Sequence, residues 1–167
     1  FPQYNSNKYG RGVALYGDVA DGTDDKGKKY QKYRKDNNIL YRNIIVLDYD
    51  DIADFKELET VIKEKLKNVA WFWHTTYNHS DNSPRIRLFI PLNERINGKD
   101  YREFTKVLAM CLGFKVDEGS YQPSRVMALP VVKSKNHSYK TSYNDAPIMK
   151  VEQLIKLTKL YNEKHKP

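Results

Sequence analysis

The sequence predicts an α+β domain built around an antiparallel or mixed sheet, and three observations carry that prediction. Short β-branched or aromatic runs alternate with amphipathic stretches at helical spacing. A polar, proline-closed segment joins two of the apolar runs, as the turn of a hairpin would. The chain has 167 residues, 40% of them hydrophobic and 13% aromatic, which is enough for one packed core and too little for two large domains.

Residues 1–43 hold six of the thirteen tyrosines, several glycines and a basic run from Asp24 to Lys35, and read as loop or edge structure. The run is either a solvated hairpin tip or an arm that grips phosphates with tyrosines available for base stacking. Ile44 to Leu47 is a buried-strand run that ends in Asp48-Tyr49-Asp50-Asp51. Ile52, Phe55, Leu58, Ile62 and Leu66 then recur at spacings of three and four, which predicts an amphipathic helix of about four turns. Val69 to Thr76 is an aromatic-rich strand, Tyr77 to Pro84 a turn, and Arg85 to Pro91 a third strand that closes a hairpin. Asn97-Gly98 precedes a helix from about Asp100 to Leu112, with Tyr101, Phe104, Leu108 and Leu112 inward and Gly113 as its stop. A loop with Gly119 and Pro123 leads to a short strand, Arg125 to Pro130. Val151 to Lys164 closes the chain as a helix with Val151, Leu154, Ile155, Thr158 and Tyr161 on its apolar face.

Lys and Arg total 29 against 21 Asp and Glu, a formal charge of +8 that favours polyanionic partners. The single cysteine, Cys111, excludes an internal disulfide and a cysteine-based zinc site, and fits a reducing cytoplasmic setting. No apolar run approaches the roughly 18 residues of a membrane span, so no membrane partner is expected. Phe1-Pro2 at the start and a basic helical tail at the end lead us to expect a single domain, 1–167, cut from a longer protein. The P-loop, HExxH and paired-cysteine patterns are missing from the sequence, and no serine sits in a nucleophile elbow.

Asp48 and Asp50 are alternate residues at a strand end, so both carboxylates face one side with Cα atoms roughly 6.5–7 Å apart. Such a pair is most easily accommodated by a divalent cation, Mg²⁺ or Mn²⁺, although the acids could instead cap the following helix, with Asp50 or Asp51 before Ile52 at the N-cap. A third acid, Asp117 or less readily Glu118, would complete a two-metal site of the kind used in nucleotidyl or phosphoryl transfer. Arg85 and Arg87 share a strand face, and with Arg125 and His79 they form a positive set suited to phosphate oxygens. Each of the four has an ordinary alternative, a surface ion pair for an arginine and a turn role for His79. His74 reads as a structural, hydrogen-bonded residue of its strand.

The series VLDYD (46–50), TTYNHSDNSPRIRLFIPL (75–92) and VDEGSYQPSRVMALP (116–130) resembles the archaeo-eukaryotic primase superfamily, in its primase-polymerase branch from phage, plasmid and mobile-island replication proteins. Members of that branch show a strand ending acid-x-acid, a Ser/Thr- and His-containing loop leading into Pro-Arg-x-Arg and an apolar strand, then an Asp followed by Ser-x-x-Pro-x-Arg. In this chain Tyr77 stands at one of the two histidine positions of the second motif. The resemblance spans about residues 44–130 and implies an RRM-like sheet with flanking helices and a smaller N-terminal α/β part.

It further implies a DNA primase/polymerase using two Mg²⁺ or Mn²⁺ ions. Asp48, Asp50 and Asp117 match the metal-binding acids, and His79, Arg85, Arg87 and Arg125 are candidates for the triphosphate. The implied partners are single-stranded DNA, nucleoside triphosphates and a fused or associated helicase. Two rivals stand beside this reading. One is a non-catalytic origin- or single-strand-binding module; the other is a rolling-circle nickase, for which His74 and His79 are wrongly spaced.

Overall fold

Why the third strand continues past Pro91, where the sequence reading ends it, follows from how it pairs. In a computed structural model that describes residues 2–167, Ile39–Tyr49 and Ile86–Ile96 form a long antiparallel pair at the centre of a sheet. The register shifts between Arg42 and Ile44, opposite Pro91, so a residue with no N–H sits at an irregularity and the strand runs on beyond it.

In chain order the strands are β1 (Gln3–Tyr4), β2 (Val13–Ala14), β3 (Gly17–Val19), β4 (Gly22–Thr23), β5 (Lys29–Tyr30), β6 (Ile39–Tyr49), β7 (Trp71–Thr75), β8 (Ile86–Ile96), β9 (Met127–Ala128), β10 (Val131–Val132) and β11 (Thr141–Asn144). The helices are α1 (Phe55–Lys65), α2 (Gly98–Leu112) and α3 (Val151–Lys164). The main sheet is antiparallel throughout, in the order β11-β7-β8-β6-β3. Three two-stranded ladders accompany it: β1 with β10, β2 with β9, and β4 with β5.

Alternation along the strands separates two faces. Ile45, Leu47 and Tyr49, Ile86, Leu88 and Ile90, and Trp71 and Trp73 point to the helices and form the main core with Leu58, Ile62, Tyr101, Phe104 and Leu154. On the opposite face Val46 and Phe89 meet Met127 of β9, so the β2–β9 ladder covers part of it. Arg42, fully buried, ties the N-terminal segment and the later loop to the sheet: it donates to the Tyr16 and Pro123 carbonyls at 3.0 and 2.8 Å and lies over the Tyr101 ring.

Several local expectations need correction. Asp54 caps α1 by accepting from the Glu57 N–H, so the helix begins three residues after Ile52 and neither Asp50 nor Asp51 caps it. The expected strand 125–130 is only Met127–Ala128, because Pro130 interrupts it and the next two residues pair elsewhere. The polar segment Thr141–Asn144 is an edge strand that the apolar pattern did not mark. Ile155 is exposed, whereas Val151, Leu154 and Thr158 of α3 are buried. The basic run is the β4–β5 hairpin, with Tyr30 stacked on Tyr33 and lysines over both rings. Among the described residues no helix is long and apolar enough to cross a membrane.

Leu88 is wholly enclosed between β6, β7 and the helices. Leu88→Ala should lower stability by about 2–5 kcal/mol in urea titrations, whereas Leu160→Ala, on the exposed side of α3, should change it by about 0.5 kcal/mol or less.

Candidate active site

The pairing register builds the site. β6 sets Asp48 opposite Arg87 of β8, and β7 sets His74 opposite the same Arg87. Acid, guanidinium and imidazole therefore form one row across three neighbouring strands, on the face away from the main core. All three are buried. Arg87 Nη2 donates to Asp48 Oδ2 at 3.3 Å and Nη1 to the Ala128 carbonyl at 2.8 Å, which joins the row to β9. Among the described residues its Nε and His74 Nε2 have no hydrogen-bond partner, and both residues line a small cleft with Lys8, Thr76 and Tyr77.

Gly113, at φ +81°, ends α2 in the left-handed conformation that a glycine adopts without strain. The chain then returns to the end of β6, where the Asp117 N–H donates to the Asp48 carbonyl at 2.8 Å and the Asp48 N–H donates to Ser120 Oγ at 3.0 Å. Asp48 is thus clasped through its own backbone on two sides. The Asp117 carboxylate accepts from the Gly119 N–H and pairs with Arg125 at 3.3 Å. A Cβ on Gly119 would meet the Arg125 guanidinium at 2.5 Å, so this glycine is what lets Arg125 lie across the turn.

The remaining candidates sit at the margins. Asp50 lies just beyond β6, partly exposed. Its neighbour Asp51 pairs with Lys115 at 2.7 Å, and that hydrogen bond holds its carboxyl below the usual range. His79, read as a loop residue, is buried: Nδ1 accepts from the Arg85 N–H at 3.1 Å and so shapes the entry to β8. Burial lowers its pKa, against the pull of Asp81. Arg85 precedes β8, and its Nε is buried without a partner among the described residues. His74 and Ser120 are site residues that sequence reasoning did not single out. The parity of the strands was the available signal for His74, and Ser120 stood unremarked inside the third motif.

Among the described residues no three His, Cys, Asp or Glu side chains converge on one point, so Asp50 does not complete a three-ligand cluster. Asp48 and Asp117 are nevertheless a fitting donor set for Mg²⁺, which ordinarily takes one or two carboxylates and completes its shell with water and substrate phosphates.

Burial pushes His74 down to about 4, only partly opposed by the hydrogen bond between Nδ1 and the Thr75 carbonyl. The imidazole is therefore neutral at ordinary pH. As pH falls from 6.5 towards about 4, the unfolded chain takes up a proton there that the folded chain refuses. Its contribution to stability is complete above that window and is lost on descending through it. His74→Phe should flatten the fall in urea midpoint between about pH 7 and about pH 5, and an unchanged slope would assign the pH dependence to other groups.

Comparison with known proteins bears on the fold and the family. The solved AEP domain of the cyanophage S-2L primase-polymerase superposes with a TM-score of 0.53 at 15% identity, over 75% of this chain and 64% of that one. No curated protein matches the sequence. The sequence pattern of the VapE N-terminal domain matches residues 23–165. With that match over most of its length, the chain belongs to the VapE N-terminal domain family, and its fold is similar to that of an AEP primase-polymerase domain.

Proposed function

We propose that this chain is the catalytic domain of a template-dependent nucleotidyltransferase, a DNA primase-polymerase that makes or extends strands on single-stranded DNA. One observation carries the reading: Asp48 and Asp117, each beside a guanidinium, are held together by a main-chain hydrogen bond at the end of the central strand. Two acids and two arginines in one place are the complement of a nucleoside triphosphate with its cations.

Asp48 and Asp117 would hold Mg²⁺ or Mn²⁺, with Asp50 at the margin. When bound, the ions supply a lowered pKa for the attacking 3′-hydroxyl and neutralise charge on the triphosphate. Both arginine–carboxylate pairs, at 3.3 Å, are longer than the roughly 2.7–2.9 Å of a tight charge-assisted bond. Arg87 and Arg125 can therefore turn from carboxylate to phosphate oxygens as a nucleotide enters. Arg87 Nε, buried without a partner among the described residues, is a further donor facing the cleft; neutral His74 carries its one N–H at Nδ1, on the Thr75 carbonyl, so its Nε2 presents an acceptor lone pair there. His79 and Arg85 set the loop through which the triphosphate approaches. The 3′-hydroxyl attacks the α-phosphorus, its proton leaves, the bond to the β-phosphate oxygen breaks and pyrophosphate departs. The basic surface holds the template in a salt-sensitive manner. A cytoplasmic setting and a helicase module, fused or recruited, belong to this proposal.

Incorporation of labelled nucleotides on single-stranded templates, with and without an annealed primer, tests it. Asp48→Ala and Asp117→Ala should each reduce synthesis at least about a hundredfold with the fold retained, by analogy with the loss of other transition-state charge stabilisation. Full activity in either variant defeats the assignment. No product from the unaltered chain, with DNA still bound independently of Mg²⁺, identifies a non-catalytic origin- or single-strand-binding module instead.

A further inference from the structure

Two residues along each strand from the Asp48 row lies a second row of different chemistry. Tyr143, Phe72, Phe89 and Val46 are consecutive register partners across β11, β7, β8 and β6. They share the face of His74, Arg87 and Asp48, because each lies two residues from its counterpart in that row; the separation along a strand is roughly 6.5–7 Å. Phe72 stacks on Phe89 with centroids 5.2 Å apart and planes 23° apart, His74 stacks on the same Phe89 at 5.5 Å, and Tyr16 meets its edge at 5.4 Å. Phe72 is 39% exposed and Tyr143 75% exposed, a large aromatic surface for an otherwise well-covered sheet. With Tyr16, Ile44 and Pro91 they line an open cavity of about 400 Å³.

We propose that this platform is a separate binding site for unpaired bases of single-stranded DNA. Three observations select that occupant. The exposed groups are the aromatic side chains Phe72 and Tyr143, register partners side by side on the sheet, and aromatic rings accept any base by stacking; a partner helix would call for an aliphatic groove. The chain carries a charge of +8, complementary to a nucleic-acid backbone. The platform also has a cation beside it, since Arg87 lies two residues from Phe89 on the same face of β8. A strand with a base on Phe72 and Tyr143 can thus place the neighbouring phosphate near Arg87. The inference deepens the nucleotidyl-transfer reading, in which the bound strand is the template entering beside the Asp48 row, but the binding site itself stands without catalysis.

The test is the fluorescence anisotropy of a labelled oligothymidine of about twelve nucleotides, titrated with the chain at several salt concentrations without divalent cation or nucleoside triphosphate. Phe72→Ala and Tyr143→Ala should each weaken binding about tenfold while leaving the salt dependence unchanged, because phosphate contacts persist. Phe72→Trp should restore or tighten it. Both side chains are exposed, and the Trp variant separates lost stacking from a disturbed sheet. Equal affinity for the unaltered chain and both alanine variants overturns the platform and leaves nucleotidyl transfer untouched. A chain that sediments as a dimer and becomes monomeric with Tyr143→Ala also overturns it, by assigning the face to a second copy. Failure of synthesis with these affinity losses intact would count against the catalytic reading alone.

Discussion

The antiparallel register of β6 against β8 is the constraint on which the rest of the molecule depends. It pairs Asp48 with Arg87 and, two residues back, Val46 with Phe89. A slip of one residue would carry Asp48 and Arg87 into the helix-covered core and turn Leu47 and Leu88 out. The core forbids this: Ile45, Leu47 and Tyr49 are fully buried beside Ile86, Leu88 and Ile90. Burial of the apolar set on one face thus positions the polar set on the other.

In the site Asp48 and Asp117 each stand beside a counter-charge. Asp48 with Arg87 and Asp117 with Arg125 are each a single long ion pair, supplemented by backbone bonds that hold the acids in place irrespective of what their side chains bind. That separation of labour matters physically. The two acids are placed by main-chain hydrogen bonds and the Ser120 hydroxyl rather than by the guanidinium groups. Arg42 is the opposite case: its donors are used on carbonyls of three segments and its ring contact with Tyr101 is closed, which makes it a structural cation.

Helices were the most legible part of the chain. Periodic apolar residues marked α2 and α3 because each buries a stripe against the sheet, and Gly113 marked the end of α2 because a left-handed terminus favours glycine. The start of α1 was less legible, since Asp50, Asp51 and Asp54 are chemically equivalent caps and only packing chooses among them. Thr141–Asn144 was invisible as a strand: it lies at an edge, is half exposed, and needs no apolar alternation to pair with β7. Ile155 shows the converse, an apolar residue at the right spacing on the wrong side of the stripe.

For the site, residue types and their order along the chain were readable from the sequence: two acids at a strand end, two arginines two apart, an Asp before a Gly-containing loop. These rest on local chemistry and on period, which one sequence carries. The grouping was not readable, because it depends on pairings between residues distant along the chain. Folding brings Asp117 to Asp48 across 69 positions by a single N–H···O=C bond, sets His74 beside Arg87 through strand order, and withdraws His79 into the hairpin by a bond to the Arg85 N–H. A residue's chemistry is local, whereas its company is decided by register and loop closure, which arise only when the whole sheet forms.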